Sequence, residues 1–345
     1  MIKSIELFAG CGGLALGLEQ AGLECVLLNE KDRDSCQSLR LNRPDWNIVE
    51  GDVANLDFSP WRGVVDFISG GFPCQSFSYA GKSLGLEDVR GTMFFELARA
   101  VTQAQPSVFV GENVKGLLSH DNGQTLKTIA KVIDEIGYDL LCVYLMNGID
   151  YDVPQKRERL FLICVRKDLQ GKLDFHLPLT GARVLTMRDA LKAGSLYSCD
   201  VPDSPGQSYP QRKAEILALV PPGGCWRHLP TAVQLEYMQK SYYLGGGKTG
   251  IARRLAWDEP CLTLTCSPAQ KMTERCHPNQ TRPLTIREYA RIQTFPDHWL
   301  FAGSISSQYK QIGNAVPVNM AEAIGRSVFR MCQQAQELEI GSQIS

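Results

Sequence analysis

Between residues 1 and 166, short β-branched or apolar runs alternate with amphipathic stretches, and that alternation leaves the chain few ways to fold. A strand, a crossover helix and a second strand parallel to the first bury the faces of a growing sheet. Runs at 5–8, 25–29, 48–50, 64–69, 108–111, 140–145 and 160–165 are the expected strands. Leu126, Ile129, Ala130, Ile133 and Ile136 recur at helical spacing between two of them and predict a crossover helix. The pattern predicts an α/β fold with a doubly wound, mostly parallel seven-stranded sheet.

From about Lys167 the regularity fails, and Pro and Gly clusters at 202–206, 221–224 and 245–247 predict a smaller, loop-rich domain. Order returns where Thr285 and Glu288 form a capping box for a helix that Phe295-Pro296 stops; a last helix is expected over 318–334. The expected division is therefore 1–166, 167–281, and 282–345, the last comprising a hinge helix and a closing helix that returns to the first domain. A chain of 345 residues can bury a core in each of two domains.

With 44% hydrophobic and 21% charged residues the chain is neither disordered nor fibrous. No apolar run approaches the ~18 residues of a membrane span, and the N-terminus carries no basic leader, so a cytoplasmic location without membrane contact is expected. Twelve cysteines show no paired spacing, which favours reduced thiols over a disulfide framework. The net charge of -1 does not announce a nucleic-acid partner, but its distribution is uneven. Between 212 and 291 there are twelve Lys/Arg against six Asp/Glu, whereas 1–60 carries five against ten. The basic part can face phosphate, although a plain solvated surface would serve that pattern equally well.

The first strand runs into Gly10-Cys11-Gly12 and a helix, the tight turn that lets a nucleotide approach the backbone. Glu30, ending the second strand, can accept both hydroxyls of a ribose, and Asp52, ending the third, can receive an adenine amino group. These residues would also serve an NAD site. After the fourth strand comes Pro73-Cys74-Gln75, at the sheet edge where ligands bind in such folds, and after the fifth comes Glu112-Asn113-Val114. A displayed thiolate beside a carboxyl group that can hold a proton suits attack on an electron-poor ring. Arg157 and Arg159 supply donors for a pyrimidine carbonyl or a phosphate.

Taken in order, Phe8-Ala9-Gly10-Cys11-Gly12-Gly13, Pro73-Cys74-Gln75, Glu112-Asn113-Val114, Gln155-Lys156-Arg157-Glu158-Arg159, Arg287-Glu288-Tyr289-Ala290-Arg291-Ile292-Gln293 with Phe295-Pro296, and Gln311-Ile312-Gly313-Asn314-Ala315-Val316-Pro317 resemble the motifs of the DNA cytosine-5 methyltransferase family, in its bacterial restriction-modification form. The resemblance spans nearly the whole chain. It implies the Rossmann-like methyltransferase fold, S-adenosylmethionine as methyl donor, and duplex DNA as substrate. A monomer is the default expectation, and any cognate restriction endonuclease of the same system is expected to form no stable complex with it. By the same resemblance Cys74 is the nucleophile, Glu112 the partner of cytosine N3, and Arg159 a contact to the base. Arg157 supports the loop or a phosphate. Cofactor contacts are implied for Phe8, Gly10, Gly12, Glu30, Asp52, Pro73, Asn314 and Val316. One position departs from the family pattern, because Lys31 stands where members often carry an aromatic residue over the adenine.

Residues 167–281 correspond to the family's target-recognition domain. Arg253, Arg254, Thr263 and Leu264 are the expected DNA contacts, although the alternation around Thr263 also suits a plain strand. Arg287 and Arg291 lie on one helix face and suit a brace between domains or DNA contact alike. Cys261, Cys266, Cys276 and His277 do not follow the paired spacing of a zinc site, and no metal is expected. An RNA-directed relative of the same fold is disfavoured by the length of the recognition region, and a catalytically silent DNA-binding relative by the intact Cys74 and Glu112.

Overall fold

The computed structural model describes residues 1–73, 92–181, 183–243 and 249–344, so Cys74 and the residues after it through 91 lie outside the described residues. The chain divides into two compact units, Met1–Asn147 with Glu158–Thr180 and Val318–Ser345, and Gly148–Arg157 with Gly181–Pro317.

In the first unit the expected alternation is realised as β1 (Lys3–Leu7), α1 (Gly13–Gln20), β2 (Glu24–Glu30), α2 (Arg33–Asn42), β3 (Ile48–Glu50), β4 (Phe67–Gly71), α3 (Met93–Ala104), β5 (Val108–Val114), α4 (Gln124–Glu135) and β6 (Tyr138–Asn147). The short strand β7 (Gln155–Lys156) belongs to the second unit, after which β8 (Glu158–Arg166) returns to the sheet. Among the described residues seven strands form one sheet in the order β3-β2-β1-β4-β5-β8-β6. The pairs of β1 with β2 and β4, of β2 with β3 and of β4 with β5 are parallel; β8 runs antiparallel to both of its neighbours. Successive strands grow outward on one side of β1 and then on the other, which opens a crevice at the carboxyl ends of β1 and β4.

Ile5, Leu7, Ile68 and Phe109 share a buried cluster with Leu97 and Val101 of α3 and with Ile129, Val132 and Ile133 of α4. Those apolar helical positions repeat every three or four residues and so fall on one face. The fourth strand starts later than its β-branched run suggests, because the Trp61 carbonyl accepts the amides of Val64 and Val65 in a turn. Asp32 and Thr92 accept from the amides of Ser35 and Phe95, whereas α1 begins at Gly12 with no side-chain cap.

The second unit contains α5 (Met187–Leu191), α6 (Gln211–Ala218), α7 (Thr231–Met238), β9 (Cys261–Leu262), α8 (Ile286–Ile292) and α9 (Ile305–Asn314). Its strands are two residues long, β7 pairing parallel with β9. A small cluster around Leu217, Val220, Trp226, Met238 and Ile251 forms a local core. The expected capping box at Thr285 and Glu288 is present.

The last helix, α10 (Val318–Ile344), is longer than expected and packs on α1 in the first unit. Gly17 and Gly325 allow this approach, since a Cβ on Gly17 would overlap Ala321 and come within 2.6 Å of the Glu322 backbone nitrogen. Asp66 ties the helix to the sheet by accepting from the Lys3 amide and from Gln336. The unit boundaries differ from the sequence division in three places. Residues 148–157 and α8 group with the second unit, while the stretch up to Thr180 stays with the first. Among the described residues no helix is long and apolar enough to cross a membrane.

Candidate active site

At the head of β1 the chain turns through Phe8, Gly10 and Gly12 with φ of 59°, 56° and 88°. Left-handed backbone is easy for glycine but costs a bulky aromatic residue free energy, which marks Phe8 as a position held by its surroundings. A Cβ on Gly10 would meet nothing within 4 Å, so the turn opens onto free space. Glu30 fixes the turn: its Oε2 accepts from the Gly10 amide at 2.7 Å, and its Oε1 from the amides of Lys31 and Asp32 at 2.8 and 2.7 Å. A carboxylate has about four acceptor positions, so as it stands Glu30 can receive one further donor rather than two. Asp52 accepts from the Ala54 amide and pairs with Lys31 at 2.8 Å; hydrogen bonding to Lys31, chiefly, holds its carboxyl below the usual range. Lys31, where an aromatic residue is common, thus engages the acid expected to meet adenine. The open turn and the two acids at neighbouring strand ends fit an adenosine-bearing cofactor.

The next strand ends carry the chemistry. Gly71 of β4 stands opposite Glu112 of β5, and a Cβ there would lie 3.0 Å from Glu112 Oε2, so a glycine keeps the carboxylate's place clear. Arg159 of β8 forms an ion pair with Glu112, its Nε 2.9 Å from Oε1, with both side chains nearly buried at 11% and 13% exposure. Burial works against the charge on Arg159, and the Glu112 carboxylate works for it. Asn113, buried beside Glu112, donates from Nδ2 to the Phe72 carbonyl at 2.7 Å, while the Phe72 ring packs against Phe94. The backbone at Phe72 is thereby anchored to β5. Sequence reasoning gave Asn113 no such role, although a buried amide at a strand end is a usual sign of a backbone anchor.

A second residue that sequence reasoning missed is Glu6. It lies buried at 2% exposure in the middle of β1, and among the described residues its Oε2 has no hydrogen-bond partner. Burial raises its carboxyl well above the usual range, and the charges of Glu30 and Glu112 add to that. Its sequence signal is an acid flanked by Ile5 and Leu7 in a core strand.

Three comparisons bear on what such a site does. Residues 2–330 match the family model for C-5 cytosine-specific DNA methylase. The chain belongs to that family. It is 62% identical over 327 residues to the Type II methyltransferase M.Eco47II of Escherichia coli, covering 95% of this chain and 78% of that protein. It is 50% identical over 338 residues to the Type II methyltransferase M.Sau96I of Staphylococcus aureus, covering 95% and 76%. A crystal structure of a Spodoptera frugiperda DNMT2 mutant shares the fold, with a TM-score of 0.61 at 18% identity over 95% of this chain and 100% of that one. The protein is thus a DNA cytosine-5 methyltransferase.

Within the methylase's second unit several buried arginines are spent on loop backbone. Arg157 is fully buried and donates to the carbonyls of Leu264, Gly313 and Ala315 at 3.1, 2.7 and 2.9 Å, so it supports loops and presents nothing to a phosphate. Arg254, expected on DNA, is also buried and donates to the carbonyls of Leu217, Val220, His277 and Gln280 and to the Thr281 hydroxyl. Its neighbour Arg253 is half-buried and pairs with Glu259 at 3.3 Å. Arg291 is buried against Asp297 and the Cys199 carbonyl, and Arg287 donates to the carbonyls of Pro296 and Trp299. Both therefore brace the second unit internally. Thr263 is half-buried with its hydroxyl on the Lys156 carbonyl, and Leu264 is buried. Asn314 is exposed and accepts from Cys266, whereas Val316 is buried. Among the described residues no group of three His, Cys, Asp or Glu is placed to hold a metal ion.

Proposed function

We propose that this methylase transfers a methyl group to C5 of a cytosine turned out of duplex DNA, with Cys74 as covalent nucleophile. The observation that carries the reading is the nearly buried pair of Glu112 and Arg159, one strand over from the anchored backbone that leads into Pro73 and Cys74.

C5 of cytosine is too weak a nucleophile to take a methyl group unaided, so a group must first add at C6. The Cys74 thiolate forms that S–C6 bond, and the electrons of the C5–C6 double bond move toward C5. Glu112 shares a proton with ring N3, which offsets the charge that develops on the ring. Arg159 holds the carboxylate in place and meets the base. S-adenosylmethionine, when bound, supplies the electrophilic methyl group. Loss of the C5 proton to a base then restores the double bond and expels the thiolate. Phe8, Gly10, Gly12, Glu30, Asp52 and Pro73, with Asn314 and Val316, are the residues assigned to the cofactor. Turning the base out costs a few kcal/mol of stacking and pairing, which contacts to the DNA offset. Thr263 and Leu264 are assigned to the target base, and the methylation protects DNA from a cognate restriction endonuclease.

A duplex carrying 5-fluorocytosine at the target tests this directly, because fluorine cannot leave as a proton does. With S-adenosylmethionine the wild-type protein should form a covalent adduct stable to denaturation, and Cys74→Ala should form none. An adduct that persists in Cys74→Ala, or methyl label found on adenine, would overturn the reading.

A further inference from the structure

We infer that Gln155 and Gln293 are positioning residues, a pair of buried amides that sets the register of Thr263 and Leu264 against the end of α9. The inference rests on the reading that Thr263 and Leu264 meet the target base.

Both side chains are wholly buried, and a buried amide is costly unless its acceptor and its donors are used. Here they are used in one direction. The Leu264 amide donates to Gln155 Oε1 at 2.8 Å, Gln155 Nε2 donates to Gln293 Oε1 at 2.8 Å, and Gln293 Nε2 donates to the carbonyls of Ile312 and Ala315 at 2.7 and 3.3 Å. Two segments far apart in sequence are therefore joined through four consecutive polar groups, with no link that reverses without breaking another.

Neighbouring contacts hold the same segments. Arg157 bridges the Leu264 carbonyl to those of Gly313 and Ala315, and the Thr263 carbonyl accepts from Arg275 at 2.6 Å. Gly313 lies so close to the segment after β9 that a Cβ on it would come within 2.6 Å of the Thr265 carbonyl carbon. An apolar pair of similar volume would fill the space where the two amides meet, but it would leave the Leu264 amide and the Ile312 carbonyl without these partners and would not choose a register. Register matters here because side chains alternate along an extended segment. A slip of one residue would exchange the half-buried Thr263 with the buried Leu264.

Gln155→Glu tests the pair without removing volume. The new carboxylate still accepts from Leu264, but when ionised it cannot donate to Gln293, and burial raises its pKa so that the donor returns as pH falls. Methyl transfer to duplex DNA in a single turnover, normalised to folded protein by circular dichroism, should be about tenfold or more below wild type near pH 8. The KM for DNA should change much less, and the deficit in rate should close as the pH is lowered towards 6. A rate equal to wild type at every pH, a deficit indifferent to pH, or a loss confined to KM would overturn the inference. Gln293→Glu approaches from the other end, keeping the acceptor for Gln155 and losing the donors to Ile312 and Ala315, and should show the same recovery in acid. If neither variant folds, the pair is structural and the inference fails. Wild-type protein that places no methyl group on cytosine C5 would instead remove the underlying reading, a result visible without either variant.

Discussion

The two units satisfy their buried backbone by different means. In the first, a sheet of seven strands bonds its own amides and carbonyls, and side chains are left to fill the core. In the second, strands of two residues cannot do this, and buried Arg157, Arg254, Arg275 and Arg291 reach backbone carbonyls instead. A loop-rich unit must find donors somewhere, since an unpaired buried carbonyl costs free energy comparable to a lost hydrogen bond. Arginine offers five donors on one rigid fork and so can serve several loops at once. The basic excess of this region is therefore partly architecture, and only part of it remains for phosphate.

The sharpest way to break this comparison is Arg254→Met. The substitution keeps the apolar stem and removes the donors to four carbonyls and a hydroxyl, and it should cost about 3 kcal/mol or more of unfolding free energy. Urea unfolding measures it, with the exposed Arg227→Ala as a control expected within about 0.5 kcal/mol of wild type. If Arg254→Met were as stable as wild type and weakened DNA binding instead, the residue would belong to the interface.

In the first unit the largest expected effect lies in chemistry. Glu112→Gln keeps shape and one acceptor beside Arg159 but cannot hold the proton proposed for ring N3, and on that proposal kcat should fall about a hundredfold or more. Rapid-quench methyl transfer decides it; a change in KM alone would make Glu112 a binding group.

How much of this was legible from residues alone follows the same division. The strand order of local signals, the glycine turn and the acids ending β2 and β5 could be read because each depends on neighbours within a few positions. Arg254 could not, since Arg253-Arg254 before Trp257 looks the same whether the guanidinium faces solvent or the carbonyls of Leu217 and His277. Arg157 and Arg159 are two residues apart yet fall in different units, because the chain leaves the β7 pairing and enters the sheet between them. Their spacing in sequence suggested a shared task. Cys74, the residue on which the chemistry was built, falls outside the described residues, and the anchored position nearest before it in sequence is Phe72, whose carbonyl accepts from Asn113.

A third substitution sharpens the comparison from the first unit's side. Gly17→Ala would press a methyl group into Ala321 and towards the backbone of Glu322, which cannot move aside as a flexible side chain would. The cost should be about 1–3 kcal/mol in thermal or urea unfolding, as for other overpacked cores. Gly10→Ala faces open space, so its penalty comes only from the positive φ, about 1 kcal/mol, while cofactor affinity should suffer more than stability. Equal losses in both would mean that the α1 and α10 contact is less tight than the glycines indicate.

The smallest expected effect is also the most specific in its sign. Glu6 is an acid in the sheet whose carboxyl burial raises well above its usual value, the reverse of a carboxylate held by a salt bridge. Between the ordinary value of the unfolded chain and the raised value of the folded one, the folded protein keeps a proton that the unfolded chain gives up. Stability contributed by this group therefore falls as pH rises through that window, and below it the contribution vanishes. Glu6→Gln cannot ionise and should lose that slope. Its stability relative to wild type should accordingly improve between about pH 4 and pH 8, as read from urea midpoints. A difference that stays constant over that range would mean that Glu6 gains a partner in solution, and that the first unit, like the second, satisfies a buried charge through a side chain rather than through its sheet.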